Sequence, residues 1–474
     1  MYNKNTKIVC TLGPSSDSVS EITNLIHAGM NVARLNFSHG TYDHHLKIIK
    51  NLRTAEKKTG KRIAILQDLQ GPKIRLGDLP PEGVLIKKGE KITLTINKIV
   101  GKKTAKETLI PIQYKGIVKD AKPKDILLIS DGIIEVKIEK VTKDSLICRV
   151  TAGGLLKSKQ GVNSSTASIS AKPITEKDRQ DLIFGLKNNV DYIALSFVRN
   201  PEDIEELRNL INRHKKNTKI IAKIERHEAV KNLKKIIEIT DGVMVARGDL
   251  GIDLPAEQVP IVQKRMIALA NKYAKPVITA TQVLQSMIEN PMATRAEISD
   301  AANAVFDSTD AIMLSNESAV GKYPFRATAT LSRVAETVEK EIGKHPELLD
   351  HLAFKRVQGT INATCMNACE LARDTKADFI VVYTTSGYTA RHTAKYRPSI
   401  PIITITPSEQ VARELTLVWG LNKIYVTKIT CKGSEKPTII AKYLNKIKAV
   451  KKGQKLVIVG SASEQEKIIS TFKI

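Results

Sequence analysis

The stretch Ala64-Ile65-Leu66-Gln67-Asp68-Leu69-Gln70-Gly71-Pro72-Lys73-Ile74-Arg75 opens apolar, ends that run on a carboxylate, and turns through Gly-Pro into two cations. The apolar run reads as a buried strand and Gly-Pro as the turn that ends it. A single such strand says little, since strands often end in a polar residue and turns often carry a lysine. Its recurrence decides the fold. Comparable runs lie at 6–12, 31–37, 62–68, 191–197, 219–225, 241–247, 275–281 and 310–315, each followed by an amphipathic stretch of helical period. Helix starts are marked by Ser16-Asp17 before Val19, Thr175 ahead of Glu176, and Asn200-Pro201 ahead of Glu202. Eight βα units close more readily into a parallel barrel than into an open sheet.

The rhythm breaks between 72 and 172, where short Lys/Thr/Ile/Val-rich runs alternate with turn signals at Lys88-Gly89, Asp131-Gly132 and Gly153-Gly154. Beyond 342 the alternation resumes, with strands expected near 378–384, 400–405, 423–427 and 455–459. The expected α/β organisation is a (β/α)8 TIM barrel from 1–71 and 173–342, an inserted β domain at 72–172, and a C-terminal α/β domain at 343–474.

Composition excludes several classes of function. At 474 residues and 42% hydrophobic the chain can bury a large core, and no run of about 18 apolar residues could span a bilayer. Met1 to Thr6 is polar and leads straight into a strand, which leaves no room for a signal peptide. Five scattered cysteines (Cys10, Cys148, Cys365, Cys369, Cys431) do not form a disulfide framework and suit a reducing, cytoplasmic setting. The net charge of +26 raises nucleic acid as a partner, but the lysines are spread over every expected helix and aromatics are only 4%. A site for small anionic substrates fits the charge without nucleic acid.

In a βα barrel the active site is built at the carboxyl ends of the strands. Those positions hold Arg34, Asn36 and Ser38, then Asp68, Lys223 and Glu225, Asp249, Thr281, and finally Ser315 with Glu317. Glu225 and Asp249 are hard oxygen ligands suited to Mg²⁺ or Mn²⁺, and there is no His or Cys cluster for zinc. Lys223 lies two residues before Glu225, so in a regular strand both point to one face. An ammonium beside a divalent cation, joined by Arg34 and Arg75, can spread the charge of a transferring phosphoryl group. Gly248 allows backbone N–H groups to approach a small carboxylate. There is neither a Walker A motif nor a kinase Gly-rich loop.

These motifs resemble the pyruvate kinase family along essentially the whole chain. The matching stretches are Ala33-Arg34-Leu35-Asn36-Phe37-Ser38-His39-Gly40, Gly71-Pro72-Lys73-Ile74-Arg75, Ala222-Lys223-Ile224-Glu225, and Met244 through Gly251. They continue with Ala280-Thr281-Gln282, Ser286-Met287-Ile288 and Thr294-Arg295-Ala296-Glu297. The resemblance implies phosphoryl transfer from phosphoenolpyruvate to ADP, giving pyruvate and ATP, by a cytoplasmic homotetramer. It implies that Glu225 and Asp249 bind Mg²⁺, that Lys223 stabilises the phosphoryl group and the enolate, and that Arg34 holds the substrate phosphate. Gly248, Asp249 and Thr281 would hold the substrate carboxylate. Thr281 and Ser315, with water, would relay the proton, with no choice between them. Asn36, Phe37, Ser38, His39 and Arg75 would line the nucleotide, and 72–172 would be a β-barrel lid closing over it.

In the last domain, Thr384, Thr385, Ser386, Gly387 and Thr389 form a hydroxyl-rich turn before a helix, similar to the family's effector loop. This implies activation by a phosphorylated sugar or a nucleoside monophosphate. Four departures from the family pattern stand out: Gln160 in place of a lysine, Ser164-Ser165-Thr166 where Leu-Pro is common, Asn316 and Ser318 in place of Gly and Thr, and an early end after Ser461-Ala462-Ser463. A Mg²⁺-dependent lyase or aldolase would need neither the insertion nor the last domain, and a non-catalytic binding protein would not need Lys223, Glu225 and Asp249. Many members bind K⁺ through Asn36, Ser38, Asp68 and the next residue, here Leu69, with a glutamate at position 73. Lys73 stands there instead, so its ammonium is expected to take the ion's place and remove the need for K⁺.

Overall fold

The computed structural model describes residues 4–130, 132–164, 172–345, 347–348, 358–430, 435–461 and 467–474. Asp131, Ser165, Thr166, Cys431, Ala462 and Ser463, which entered the sequence reading, lie outside them. Eight parallel strands close into a barrel in chain order: Lys7–Thr11, Val32–Asn36, Ala64–Asp68, Tyr192–Leu195, Lys219–Ile224, Gly242–Ala246, Val277–Ala280 and Ala311–Leu314. Each lies inside one of the eight expected runs. Alternate side chains such as Val9, Val32, Leu66, Ile221, Met244, Ile278 and Met313 fill the interior, and Leu417 of the C-terminal domain packs with them. The other faces pack against the surrounding helices through Ile8, Cys10, Ile65, Ile193, Ile220 and Val243.

Local chemistry sets the helix starts. Thr175 forms a reciprocal capping box with Asp178, and Asn200 caps a helix that carries Pro201 in its first turn. The first helix, Val19–Ala28, is capped by Ser18, whose hydroxyl accepts from the Glu21 N–H at 3.1 Å, and not by Ser16-Asp17. Ser16 instead donates to the Ser318 carbonyl at 2.7 Å, while Asp17 pairs with Lys47 and His44. Three tertiary contacts thus claim the residues that looked like a cap.

The insertion holds a seven-stranded sheet in the order Val162–Ser164, Ile126–Ile129, Ile134–Val141, Ser145–Ala152, Lys91–Thr95, Thr108–Pro111 and Lys102–Lys103. Residues 74–78 bond to both of its ends. Leu76 N–H donates to the Gln160 carbonyl at 2.9 Å on one side, and Arg75 C=O accepts from Gln113 at 2.9 Å on the other. The sheet therefore curls barrel-like around Leu94, Ile110, Leu127, Val136 and Leu146. The expected turn at Gly153-Gly154 is a crossover: Gly154 already pairs with Ile86 in a two-stranded ribbon, and a Cβ on Gly153 would meet the Ile86 carbonyl at 2.5 Å.

The C-terminal sheet runs Lys423–Val426, Ile402–Thr406, Phe379–Tyr383 and Lys455–Ser461 in parallel, and Lys467–Lys473 adds an antiparallel edge that the sequence reading missed. This domain docks on the amino-terminal end of the barrel. Asp310 Oδ1 accepts from Arg397 Nη1 and from the Trp419 N–H, both at 3.1 Å, while its Oδ2 accepts from the Val277 N–H. Among the described residues no helix is long and apolar enough to cross a membrane.

Glu414, 2% exposed, lies at the same junction. Gln410 donates to its carboxylate at 3.0 Å, while Oε2 has no partner among the described residues. Burial pushes this carboxyl up to about 7, Lys219 opposing and Asp191 reinforcing. The folded pKa lies above the ordinary 4.5, so the folded chain keeps a proton that the unfolded chain has lost. Stability is therefore lost as pH rises from about 4.5 to about 7. Glu414→Gln should be more stable than the parent by roughly 2–3 kcal/mol near pH 8 and equal to it near pH 4. Denaturant unfolding at the two pH values checks this, and an identical difference at both would contradict it.

Candidate active site

Strand ends bring the charged residues together. Arg34 and Asp68 end neighbouring strands: Arg34 Nε donates to Asp68 Oδ2 at 2.8 Å, its Nη2 is 2.7 Å from the same oxygen, and its Nη1 donates to Thr11 Oγ1 at 2.9 Å. Lys223 Nζ is 3.2 Å from Asp68 Oδ1 and 2.9 Å from Glu225 Oε1, and it donates to Ser196 Oγ at 2.6 Å. Ser196 passes the contact on by donating to the Leu69 carbonyl at 2.7 Å. The predicted shared face of Lys223 and Glu225 is real.

The electrostatics follow from this packing. Burial works against the Asp68 carboxylate, but Lys223 and Arg34 outweigh it and hold the carboxyl below the usual range. Burial also works against the Lys223 ammonium, and Asp68 with Glu225 outweighs it, keeping the amine charged. Burial and the nearby Asp249 push the Glu225 carboxyl up. Glu225 Oε2 accepts from the Phe197 N–H at 2.7 Å, while the Asp249 carboxylate makes no ion pair or hydrogen bond with the described residues. Two repelling carboxylates, one buried and one free of protein partners, are a donor set that a hard divalent cation fits.

Asp249 sits in the first turn of the helix Arg247–Asp253, and Thr281 shapes its start. Thr281 Oγ1 accepts from the Gly248 N–H at 2.8 Å and donates to the Ala280 carbonyl at 2.7 Å. Its φ of +67 is a left-handed conformation that β-branched residues rarely adopt. Arg247, bonded to the Thr281 carbonyl at 2.7 Å and to Asp300 at 2.7 Å, holds the loop in place. Ser315 follows the eighth strand; Glu317, 0% exposed, accepts its N–H at 2.7 Å and that of Leu284 at 3.3 Å. Glu317 thus ties two loops together from beneath.

The structure separates the residues that were expected to line a nucleotide. Asn36 Oδ1 accepts from the Ser38 N–H at 3.1 Å, and His39 is exposed, its imidazole held below the ordinary value by burial and by Arg75, Lys73 and Arg34. Phe37 differs: its ring is buried and stacks on His45 at 4.1 Å, and its carbonyl accepts from Lys177 at 2.7 Å. Arg75 donates to the Lys159 carbonyl of the insertion at 3.0 Å. Lys73 does not pair with Asp68. Both Asp68 oxygens are engaged by Arg34 and Lys223, and the Lys73 side chain lies against Gly161, its ammonium within 4 Å of no carboxylate among the described residues. Gln160 is part of its own turn, accepting from the Lys157 N–H at 2.9 Å.

Ser196 and Phe197, at the end of the fourth strand, were missed in the sequence. The same strand-end rule would have found them after the run Ile193-Ala194-Leu195. A group of His227, Glu228 and Asp253 could also offer ligand atoms to a metal, but Arg226 bridges both carboxylates, at 3.4 and 3.5 Å. In the last domain Thr384 and Thr389 are buried, Thr385 and Ser386 exposed, and Gly387 turns at φ +78. Arg391, also missed, donates to the Ser386 carbonyl at 3.4 Å from behind this loop.

A model of the pyruvate kinase barrel domain matches residues 3–328, and one of the pyruvate kinase alpha/beta domain matches residues 362–474. The chain belongs to the pyruvate kinase family. It is 43% identical over 425 residues to the pyruvate kinase of Clostridium acetobutylicum, covering 89% of each chain. It is 44% identical over 427 residues to pyruvate kinase 2 of a Synechocystis species, covering 89% of this chain and 71% of that one. A pyruvate kinase crystal structure from Cryptosporidium parvum superposes with a TM-score of 0.89 at 34% identity, over 99% of this chain and 96% of the other. The enzyme is a phosphotransferase that moves the phosphoryl group of phosphoenolpyruvate to ADP, the step of glycolysis that yields pyruvate and ATP, and its family uses Mg²⁺ or Mn²⁺.

The Thr281 hydroxyl gives a specific expectation, because it aligns the Gly248 N–H. Thr281→Val keeps the branched shape and loses both hydrogen bonds, so kcat/KM for phosphoenolpyruvate should fall by about 10²–10³, while Thr281→Ser should stay within about tenfold. Steady-state kinetics of the two variants at matched thermal stability check this.

Proposed function

We propose that phosphoryl transfer is carried out by Lys223, Arg34, Thr281 and the backbone at Gly248-Asp249, around a divalent cation held by Glu225 and Asp249. The observation that carries this reading is the ammonium of Lys223 fixed among Asp68, Glu225 and Ser196. Mg²⁺ or Mn²⁺, when bound, supplies positive charge to the phosphoryl oxygens. Arg34 takes the substrate phosphate, and its own orientation is fixed by Asp68 and Thr11. The Gly248 region and the Thr281 hydroxyl take the carboxylate. A β-phosphate oxygen of ADP attacks phosphorus, the bond to the enol oxygen breaks, and Lys223 stabilises the negative charge left on that oxygen. The enolate carbon then takes a proton through water from the Thr281 and Ser315 hydroxyls. Asn36, Ser38, His39 and Arg75 line the nucleotide, with Phe37 supporting that loop from the core, and the insertion closes as a lid that excludes water.

We further infer that K⁺ is not required. Lys73 supports this by position and charge: it lies on the segment entering the lid, close enough to lower the His39 pKa, with an ammonium that no carboxylate claims among the described residues. The oxygens of Asn36, Ser38, Asp68 and Leu69 would otherwise be the ion's ligands. The loop of Thr384, Thr385, Ser386, Gly387 and Thr389, backed by Arg391, is proposed to bind the phosphate of an activating sugar phosphate or nucleoside monophosphate in a cytoplasmic homotetramer.

Two measurements test the catalytic and ionic parts separately. In a coupled assay with phosphoenolpyruvate, ADP and Mg²⁺, Lys223→Met should lose about 10³-fold or more in kcat, and equal rates would sink the assignment. In buffer free of K⁺ and Na⁺ the parent should keep its activity, whereas Lys73→Glu should lose about tenfold or more and recover with added K⁺. A parent enzyme that needs K⁺ would overturn the ionic reading alone.

A further inference from the structure

Residues 37–39 leave the second strand as an irregular loop, so the sheet no longer pairs their backbone polar groups and each must find its own partner. The Phe37 N–H donates to the Asp68 carbonyl at 3.0 Å, the Ser38 N–H to Asn36 Oδ1 at 3.1 Å, and the His39 N–H to the Asn36 carbonyl at 3.2 Å. The carbonyls of Phe37 and His39 are each met by a side chain that has no part in the chemistry. Lys177 Nζ donates to the first at 2.7 Å, and His45 Nε2 donates to the second at 2.9 Å.

His45 belongs to the helix Tyr42–Thr59 that follows this loop and is 5% exposed. Because Nε2 faces a carbonyl it carries the proton, which leaves Nδ1 bare, buried and without a partner among the described residues. A leucine or phenylalanine would fill the same space with no unsatisfied nitrogen, so what the imidazole adds is its Nε2–H. The ring also stacks on Phe37 at 4.1 Å, and a Cβ on Gly40 would lie 3.3 Å from Nε2. The loop is fitted to this side chain.

Lys177 stands in the first turn of the helix Glu176–Lys187, just after the chain re-enters the barrel from the insertion. Its ammonium is 2.6 Å from Asp181 Oδ2, and Asp181 Oδ1 accepts from the Tyr42 hydroxyl at 2.8 Å. An exposed ion pair one helical turn apart contributes little by itself. Here the carboxylate is 0% exposed and the ammonium also reaches a carbonyl of another element, so the pair aims the lysine at Phe37. The adjacent Asp178 accepts from the Gly71 N–H at 3.1 Å through Oδ1 and from the Thr175 N–H at 2.9 Å through Oδ2. Gly71 and Thr175 flank the insertion. One helix start thus holds both of its connections to the barrel and, through Lys177, the loop at 37–39.

We propose that Lys177 and His45 are positioning residues for ADP: by holding the Phe37 and His39 carbonyls they set Asn36, Ser38 and His39 against the nucleotide, and Lys177 does so from the helix start that anchors the insertion. This rests on the reading that those three residues line the nucleotide. Neither Lys177 nor His45 is bonded to Lys223, Arg34, Glu225 or Asp249. Loss of either donor therefore weakens the binding of ADP and leaves the chemical step intact.

Steady-state kinetics of the full chain with Mg²⁺ test this, with KM for ADP and for phosphoenolpyruvate determined separately and well below each variant's melting temperature. Lys177→Met should raise KM for ADP by about tenfold, with kcat and KM for phosphoenolpyruvate within about twofold of the parent. Lys177→Arg, which keeps a charged donor for both oxygens, should bring KM for ADP back to within about threefold. His45→Leu should raise KM for ADP as Lys177→Met does, and His45→Gln, whose amide N–H can take the place of Nε2–H, should not. A merely structural role would move both KM values and kcat together and would not sort the variants by their donors. Should Lys177→Met fold poorly, the two His45 variants decide the matter. His39→Ala separates this inference from the reading beneath it. If His39→Ala raises KM for ADP while Lys177→Met or His45→Leu leaves it unchanged, the inference falls and the nucleotide assignment stands; if His39→Ala also leaves it unchanged, both fall.

Discussion

The carboxylate of Asp68 organises the mouth of the barrel. It is 1% exposed and stands between the guanidinium of Arg34 and the ammonium of Lys223. Cations of this size would otherwise seek water, and a buried carboxylate without partners would take a proton. Paired in this way, all three remain charged and fixed before any substrate arrives. Charges that do not have to reorganise during the reaction are the ones that stabilise a developing anion best. Glu225, Ser196 and the Phe197 N–H extend the same network onto the next strands.

Buried carboxylates also organise the other end of the barrel. Asp310 joins the seventh strand to Arg397 and Trp419 of the C-terminal domain, and Asp191 accepts from Arg413 of that domain and from the Ile65 N–H. Strands that end in Asp68 and next to Thr281 at the mouth are thus tied at their start to the C-terminal domain. Parallel strands are stiff and close-packed, so a shift at their start is not absorbed locally.

How far the site could be read from the chain depended on periodicity. Alternation of strand and helix located all eight barrel strands, and the strand-end rule then collected Arg34, Asp68, Lys223, Glu225 and Thr281 without any knowledge of contacts. The rule was silent about partners. Lys73 follows Asp68 by five residues and was expected to pair with it, but the intervening Gly71-Pro72 turns the chain into the insertion and carries the ammonium toward Gly161. Phe37 lies between Asn36 and Ser38 in a motif that reads as one unit, yet its ring turns into the core against His45. Ser196 lay within reach of the strand-end rule and was passed over, Arg391 lies outside the barrel strands that the rule covers, and Lys467–Lys473 shows no strict alternation.

By itself the sequence determined the order of βα units, the barrel closure that order implies, the placement of carboxylates and cations at strand ends, and the family. These are properties of local period and residue type, which near neighbours in the chain decide. Tertiary structure alone decided that Asp68 is claimed by Arg34 and Lys223 and not by Lys73, that segment 74–78 seals the inserted sheet, and that Lys4 and Lys7 lie buried beneath the barrel with no ion-paired carboxylate among the described residues. The reason is distance along the chain: Arg34 and Lys223 are separated from Asp68 by 34 and 155 residues. Only closure of the barrel brings such positions within hydrogen-bond reach.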